Sequence, residues 1–218
     1  MELIATTLTH KIVEPDQTSK EKPPALVLLH GRGANEDDLL GLREYFDQRL
    51  FCIAARAPFQ FEYGGGYTWY DVMEVGRPEP KMFDESYKRL VQFFEDIRKQ
   101  YPINPKKIFL LGFSMGTVMS YSLALTMPGY AAGVMANSGY IPEGTNLTFQ
   151  WEKLKGANFF VAHGVSDPVI PVQFGRHAKD LLHEAKINLT YREYDMGHQI
   201  NEESLNDMSA WLGDKIRG

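Results

Sequence analysis

Cysteine is nearly absent. Cys52 is the single one in 218 residues, so no internal disulfide can brace the chain. It sits in the apolar run Leu50 to Ala54, which predicts a buried structural thiol. Neither H-E-x-x-H nor a pair of cysteines occurs, so no catalytic metal is expected. A basic stripe is missing as well: the net charge of -5 is mild and spread along the chain, which argues against a nucleic-acid partner. No run approaches the roughly 20 apolar residues that span a bilayer. The start, MELIATTLTHKIVEPD, has no basic leader or long apolar core, so a cytoplasmic location is expected. Repeats and low-complexity segments are also lacking. What remains is 44% hydrophobic and 23% charged, the proportions of a chain with one substantial core, and residues 1–218 are expected to form one domain.

The most informative stretch present is KKIFLLGFSMGTVMSYSLALTM, Lys106 to Met127. Ile108 to Leu111 has no polar residue, the pattern of a strand buried on both faces of a parallel sheet. Gly112-Phe113-Ser114-Met115-Gly116 then matches G-x-S-x-G, in which glycines two before and two after the serine allow a sharp turn from strand to helix. The following residues, 117–127, carry almost no charge and read as a helix buried against the sheet.

Other segments alternate in the same way. Strands are expected over residues 8–13, 25–29, 50–54, 131–136, 158–162 and 189–194. Helices are expected over 36–46, 84–101, about 174–185 and 200–216. For the first of these, Asn35 is the expected N-cap, and Glu36, Asp37 and Asp38 are expected to complement the helix dipole. Residues 15–24 read as a solvated turn, and 56–83 as a long aromatic loop ordered near the site. Alternating apolar strands and helices imply an α/β fold, with a mainly parallel sheet and helices on both faces.

A serine hydroxyl needs a base to take its proton, and the base needs a third group to orient it. In α/β-hydrolases the acid and the histidine follow the serine in that order, past later strands. Asp167 in HGVSDPVIP and His198 in DMGHQ occupy those places, 53 and 84 residues after Ser114. Asp195 reads as a turn residue. His163 reads as a hydrogen-bonded core histidine that orders the Asp167 loop, and His30 as a structural hydrogen bonder. His10, His177 and His183 are not placed for catalysis. The oxyanion of acyl transfer calls for preorganised N-H donors, and those of Met115 and Arg32 are the candidates, the latter in the loop Gly31-Arg32-Gly33. Trp69 and Tyr70 end the aromatic loop and could equally line a substrate pocket or anchor the loop.

HGRGANEDDL, the loop ending TWYD, LLGFSMG, HGVSDPVIP and the terminal GH together resemble the phospholipase/carboxylesterase family of small serine hydrolases, which includes the acyl-protein thioesterases. The resemblance runs through nearly the whole chain in order. It implies an α/β-hydrolase fold with no large cap domain, an acyl-enzyme mechanism on esters or thioesters of short to medium acyl chains, no cofactor, and compatibility with a homodimer. Thioesterase members usually carry leucine where this chain has Arg32, a departure that argues against long-chain acyl-protein substrates. The stretch 138–157 is too short for more than a loop with one helical turn, so the site is expected to be open. The expected activity is a carboxylesterase acting on small-molecule esters. The rivals are an acyl thioesterase or lysophospholipase with a longer pocket, and a ligand-binding receptor on a hydrolase scaffold.

Overall fold

The computed structural model describes residues 4–16 and 21–217. Part of the expected turn at 15–24, namely 17–20, lies outside the described residues, as do 1–3 of the opening segment.

The chain opens with two strands, β1 (His10–Val13) and β2 (Ala25–Leu29), and a 3-10 segment (Leu39–Tyr45) leads to β3 (Phe51–Ala55). Two short hairpins follow, β4 (Phe59–Gln60) with β5 (Tyr67–Thr68), and β6 (Val72–Glu74) with β7 (Arg77–Pro78). Next come α1 (Pro80–Gln100), β8 (Ile108–Phe113), α2 (Met115–Thr126) and β9 (Gly133–Asn137). The rest is β10 (Asn158–Gly164), α3 (Val172–Glu184), β11 (Asn188–Tyr194) and α4 (Glu202–Arg217). Seven strands form one sheet in the order β1-β3-β2-β8-β9-β10-β11, parallel except for β1 at its edge.

Side chains alternate across the central strands and split the core in two. Val27, Leu29, Ile53 and Leu110 face one layer with α1, α2 and α3 residues such as Phe94, Val118 and Leu182. Leu26, Leu28, Phe109 and Leu111 face the other, with Leu39 of the 3-10 segment and Met208 and Leu212 of α4. This is the expected α/β arrangement, with helices on both faces of the sheet. Helix α2 is buried from Met115 to Leu125, which explains why so uncharged a helix occurs in this chain.

Two expectations change. The helix expected at 36–46 is a 3-10 segment over Leu39–Tyr45. Its acids are committed elsewhere: Glu36 pairs with Arg56 and Asp37 with Lys11, while Asp38 makes no cap through its side chain. The side chain of Asn35 accepts from the Asp37 N-H in a tight local turn rather than capping a helix. Likewise 56–83 is not one loop but the two hairpins, and α1 begins at Pro80. There the Glu79 carboxylate accepts from the Met82 N-H at 2.7 Å, and Pro80 supplies a φ already suited to the first helical turn. The stretch 138–157 holds one 3-10 turn, Trp151–Lys153, and no cap domain.

Cys52 is fully buried between strands, and burial pushes its thiol up to about 12. A disulfide reagent at neutral pH is therefore expected to find no reactive thiol in the native protein and one per chain in guanidinium chloride; native labelling would contradict this packing.

Candidate functional site

The strand ends in register collect the site at one edge of the sheet. Leu29 of β2 lies beside Gly112 of β8, Phe113 of β8 beside Asn137 of β9, and Gly164 of β10 beside Tyr194 of β11. The residues that follow these strands therefore share one crevice, the usual ligand position in an open α/β sheet.

Ser114 sits at the corner between β8 and α2 with φ 54° and ψ -118°, a conformation that costs a non-glycine residue free energy. The surrounding chain holds it there. The Ser114 N-H donates to the Asn137 carbonyl at 3.0 Å, and the Thr117 hydroxyl donates to the same carbonyl at 2.7 Å. Gly116 packs so tightly on β2 that a Cβ there would overlap the Leu29 carbonyl. A Cβ on Gly112 would likewise strike the Gly116 carbonyl. Both glycines are thus required by close approach of backbone to backbone.

The structure brings Ser114, His198 and Asp167 into one hydrogen-bonded line. Ser114 Oγ lies 2.9 Å from His198 Nε2, and His198 Nδ1 lies 2.8 Å from Asp167 Oδ2. An ionised Asp167 can only accept, so Nδ1 carries the imidazole proton and Nε2 is left to accept from the hydroxyl. The other oxygen, Asp167 Oδ1, accepts from the Val169 and Ile170 N-H groups, both at 2.8 Å. Burial opposes ionisation of Asp167, but the hydrogen bond from His198 and those two N-H groups outweigh it and hold the carboxyl below its ordinary value. The Phe113 ring lies 4.9 Å from the imidazole and covers part of it. Such an arrangement can transfer a proton from Oγ to Nε2 while the oxygen attacks an electrophilic carbon.

The histidines set aside in the sequence fall outside this line. His163 is fully buried, and its Nε2-H donates to the Ile170 carbonyl at 2.8 Å, which fastens the loop carrying Asp167. His30 accepts from the Ala57 N-H at Nε2 and donates from Nδ1 to the Gly31 carbonyl. His10 bonds the Tyr101 hydroxyl, and His177 pairs with Glu143 on the surface. His183 and Asp195 are exposed.

A cavity of about 570 Å³ opens over Ser114 and His198. Gly31, Arg32 and Met115 line it on one side, and Val72, Val75, Tyr140, Val169 and Ile170 give it apolar walls. The Met115 N-H belongs to the first turn of α2, where helical N-H groups have no partner within the helix. The neighbours of Arg32 use theirs internally: Gly33 N-H donates to the Tyr67 carbonyl and Ala34 N-H to that of Gly31. Because Tyr67 N-H also donates to the Ala34 carbonyl, the β4–β5 hairpin clamps the glycine loop.

Tyr70 lines the cavity and Trp69 does not. Trp69 is wholly buried behind it, with Nε1-H donating to the His30 carbonyl at 2.9 Å, so the pocket role considered for it is replaced by an anchoring one. Tyr140 was missed in the sequence; its hydroxyl lies 3.3 Å from that of Tyr70, and burial raises both phenols above their ordinary value. Nothing in its local pattern distinguishes Tyr140 from a core tyrosine. Among the described residues no cluster of side chains could hold a metal ion, and no helix is long and apolar enough to cross a membrane.

A mainly parallel sheet with a serine at this corner defines an α/β-hydrolase. The sequence matches the Phospholipase/Carboxylesterase family model over residues 9–216, and the chain belongs to that family of hydrolases. It is similar to acyl-protein thioesterase 1 of Candida albicans, 28% identical over 86% of this chain and 90% of that protein. It is equally similar to the probable carboxylesterase SOBER1-like of Arabidopsis thaliana, 28% identical over 88% of this chain and 79% of that protein. Among solved structures it resembles the Bacillus cereus carboxylesterase, with TM-score 0.82, 24% identity, and 95% and 94% of the two chains covered. The carboxylesterase of Mesorhizobium loti gives TM-score 0.84 at 22% identity, with 97% of each chain covered.

Burial holds His10, His30 and His163 below the ordinary imidazole value of 6.5, so each is favoured in its neutral form in the folded chain. In the unfolded chain they take up protons as the pH falls through 6.5. Their contribution to stability is therefore complete above that value and declines below it. Urea unfolding is expected to show stability falling between about pH 6.5 and 5, by up to about 1.4 kcal/mol per pH unit for each histidine. His30→Gln is expected to make that slope shallower; a flat profile would remove the linkage.

Proposed function

We propose that the protein is a serine carboxylesterase that hydrolyses small esters of short to medium acyl chain through an acyl-enzyme intermediate. The observation that carries this is the Ser114–His198–Asp167 hydrogen-bonded line opening on a cavity with apolar walls. In this mechanism Ser114 Oγ attacks the ester carbonyl as His198 Nε2 takes its proton. Asp167 holds the imidazole in the required tautomer and stabilises the imidazolium. The N-H groups of Arg32 and Met115 receive the oxyanion, favoured by their position at the glycine loop and the N-terminus of α2. Collapse of the tetrahedral intermediate expels the alcohol, to which His198 returns the proton. Water then attacks the acyl-enzyme with His198 again as base, releasing the acid and regenerating the Ser114 hydroxyl.

Tyr70 is assigned to the substrate pocket, together with Tyr140. The family relatives named as acyl-protein thioesterases support a thioesterase as the second activity. Val72, Val75 and Ile170 give the acyl group an apolar surface. We assign the chain to one domain, which the single seven-stranded sheet supports, and to the cytoplasm, where a free thiol such as that of Cys52 persists; the family resemblance supports a homodimer.

Ser114→Ala is expected to remove hydrolysis of p-nitrophenyl acetate by at least about a thousandfold while leaving the thermal midpoint close to that of the wild type. A fluorophosphonate probe is expected to label one residue, Ser114. Activity retained in the alanine variant, or a label elsewhere, would overturn the assignment. A chain-length series on one leaving group separates the readings: best activity at short acyl chains supports the carboxylesterase, and rising activity with long thioesters supports its rival.

A further inference from the structure

Two arginines are stacked on aromatic rings of the same small hairpin region, and they differ in one respect. Arg56 lies over the Tyr67 ring, 4.5 Å from its centroid, and its guanidinium is neutralised by Glu36 through two hydrogen bonds of 2.6 and 2.5 Å. Arg32 lies over the Phe61 ring, 4.6 Å from its centroid. Among the described residues no carboxylate makes an ion pair with it and no acceptor takes a hydrogen bond from its side chain. The stacking uses one face of the planar group and leaves the N-H donors at its edge unspent. Arg32 also lines the cavity that holds Ser114 and His198. A guanidinium fixed by a ring, with its donors unused beside the cavity over Ser114, matches a planar carboxylate.

From this we infer that Arg32 forms an anion subsite and that the preferred substrates are esters carrying a carboxylate in addition to the ester group. This rests on the ester-hydrolase assignment and narrows it from neutral short esters to monoesters of dicarboxylic acids or acyl esters of hydroxy acids. The backbone N-H of Arg32 serves the oxyanion while its side chain holds the second charge, so one residue fixes two points of the same substrate. Asp38 also lines the cavity and opposes an anion there. Its repulsion limits the preference without cancelling it, because only the arginine can donate hydrogen bonds to the carboxylate.

The test compares ethyl butyrate with two acidic esters, monoethyl succinate and O-butyrylglycolate, the first charged on the acyl side and the second on the alcohol side. For at least one acidic ester, Arg32→Gln is expected to lower kcat/KM relative to ethyl butyrate by about fivefold, chiefly through KM. Arg32→Lys is expected to recover part of the loss, and sodium chloride to shrink the difference. Asp38→Asn is expected to change the ratio in the opposite direction. Calorimetric binding to the Ser114→Ala protein, with and without Arg32→Gln, reads the subsite without turnover. If ethyl butyrate is hydrolysed and neither the kinetic ratio nor the binding responds to Arg32→Gln, the anion subsite is refuted and the esterase assignment stands. If acidic esters bind in an Arg32-dependent way but none of the three is hydrolysed, the subsite stands and the esterase assignment falls.

Discussion

Everything at this site depends on how closely α2 approaches β2. The helix can begin immediately after Ser114 only because Gly116 has no side chain to place against the Leu29 carbonyl. That contact holds the serine in a backbone conformation it would not choose alone, and its cost is offset by the burial of the apolar side chains of an uncharged helix, among them Val118, Met119, Leu123 and Leu125. The hydroxyl is raised from the sheet edge as a result, and the end of β2 is brought beside the start of the helix. Ser114 and the glycine loop Gly31-Arg32-Gly33 are therefore placed by one packing event.

The partners of the serine are positioned by a different part of the sheet. Asp167 and His198 follow β10 and β11, which are paired in register to their ends. The Asp167 loop is fastened by His163 beneath it and by the two N-H groups that Asp167 itself accepts from. The base is thus held from one side of the crevice and the glycine loop from the other. Ester chemistry is possible only where the two halves meet, over the end of β8.

The strands were legible in the sequence because buried parallel strands leave short runs without polar residues, and Ser114, Asp167 and His198 were legible because each follows such a run. The 3-10 segment was not, because the acids at 36–38 look like a helix start until Arg56 and Lys11 are found to claim two of them, and those contacts span 20 and 26 residues. The hairpins at 59–78 were hidden for a related reason: their strands are two or three residues long, and the first of them gains its order from pairing with the glycine loop. Trp69 and Tyr70 are adjacent, aromatic and both buried, yet Tyr70 lines the cavity while Trp69 supports it from behind through its bond to the His30 carbonyl, a contact that spans 39 residues. Tyr140 became visible only once β9 had delivered it to the same cavity.

The clamp between the β4–β5 hairpin and the glycine loop has a consequence for cooperativity. The hairpin is small, and three consecutive glycines, Gly64, Gly65 and Gly66, lie at its turn with positive φ, so it gains little from propensity or from deep burial. Its local opening would release Gly33 and Ala34, and with them the register of Arg32, while β8, β10 and β11 kept Ser114, Asp167 and His198 in line. The molecule therefore has two layers of structural integrity: a deep one that preserves the Ser114–His198–Asp167 line, and a shallower one that preserves the glycine loop facing it. Partial loosening would then yield a folded protein in which the hydrogen-bonded line persists while one wall of the cavity above it is lost.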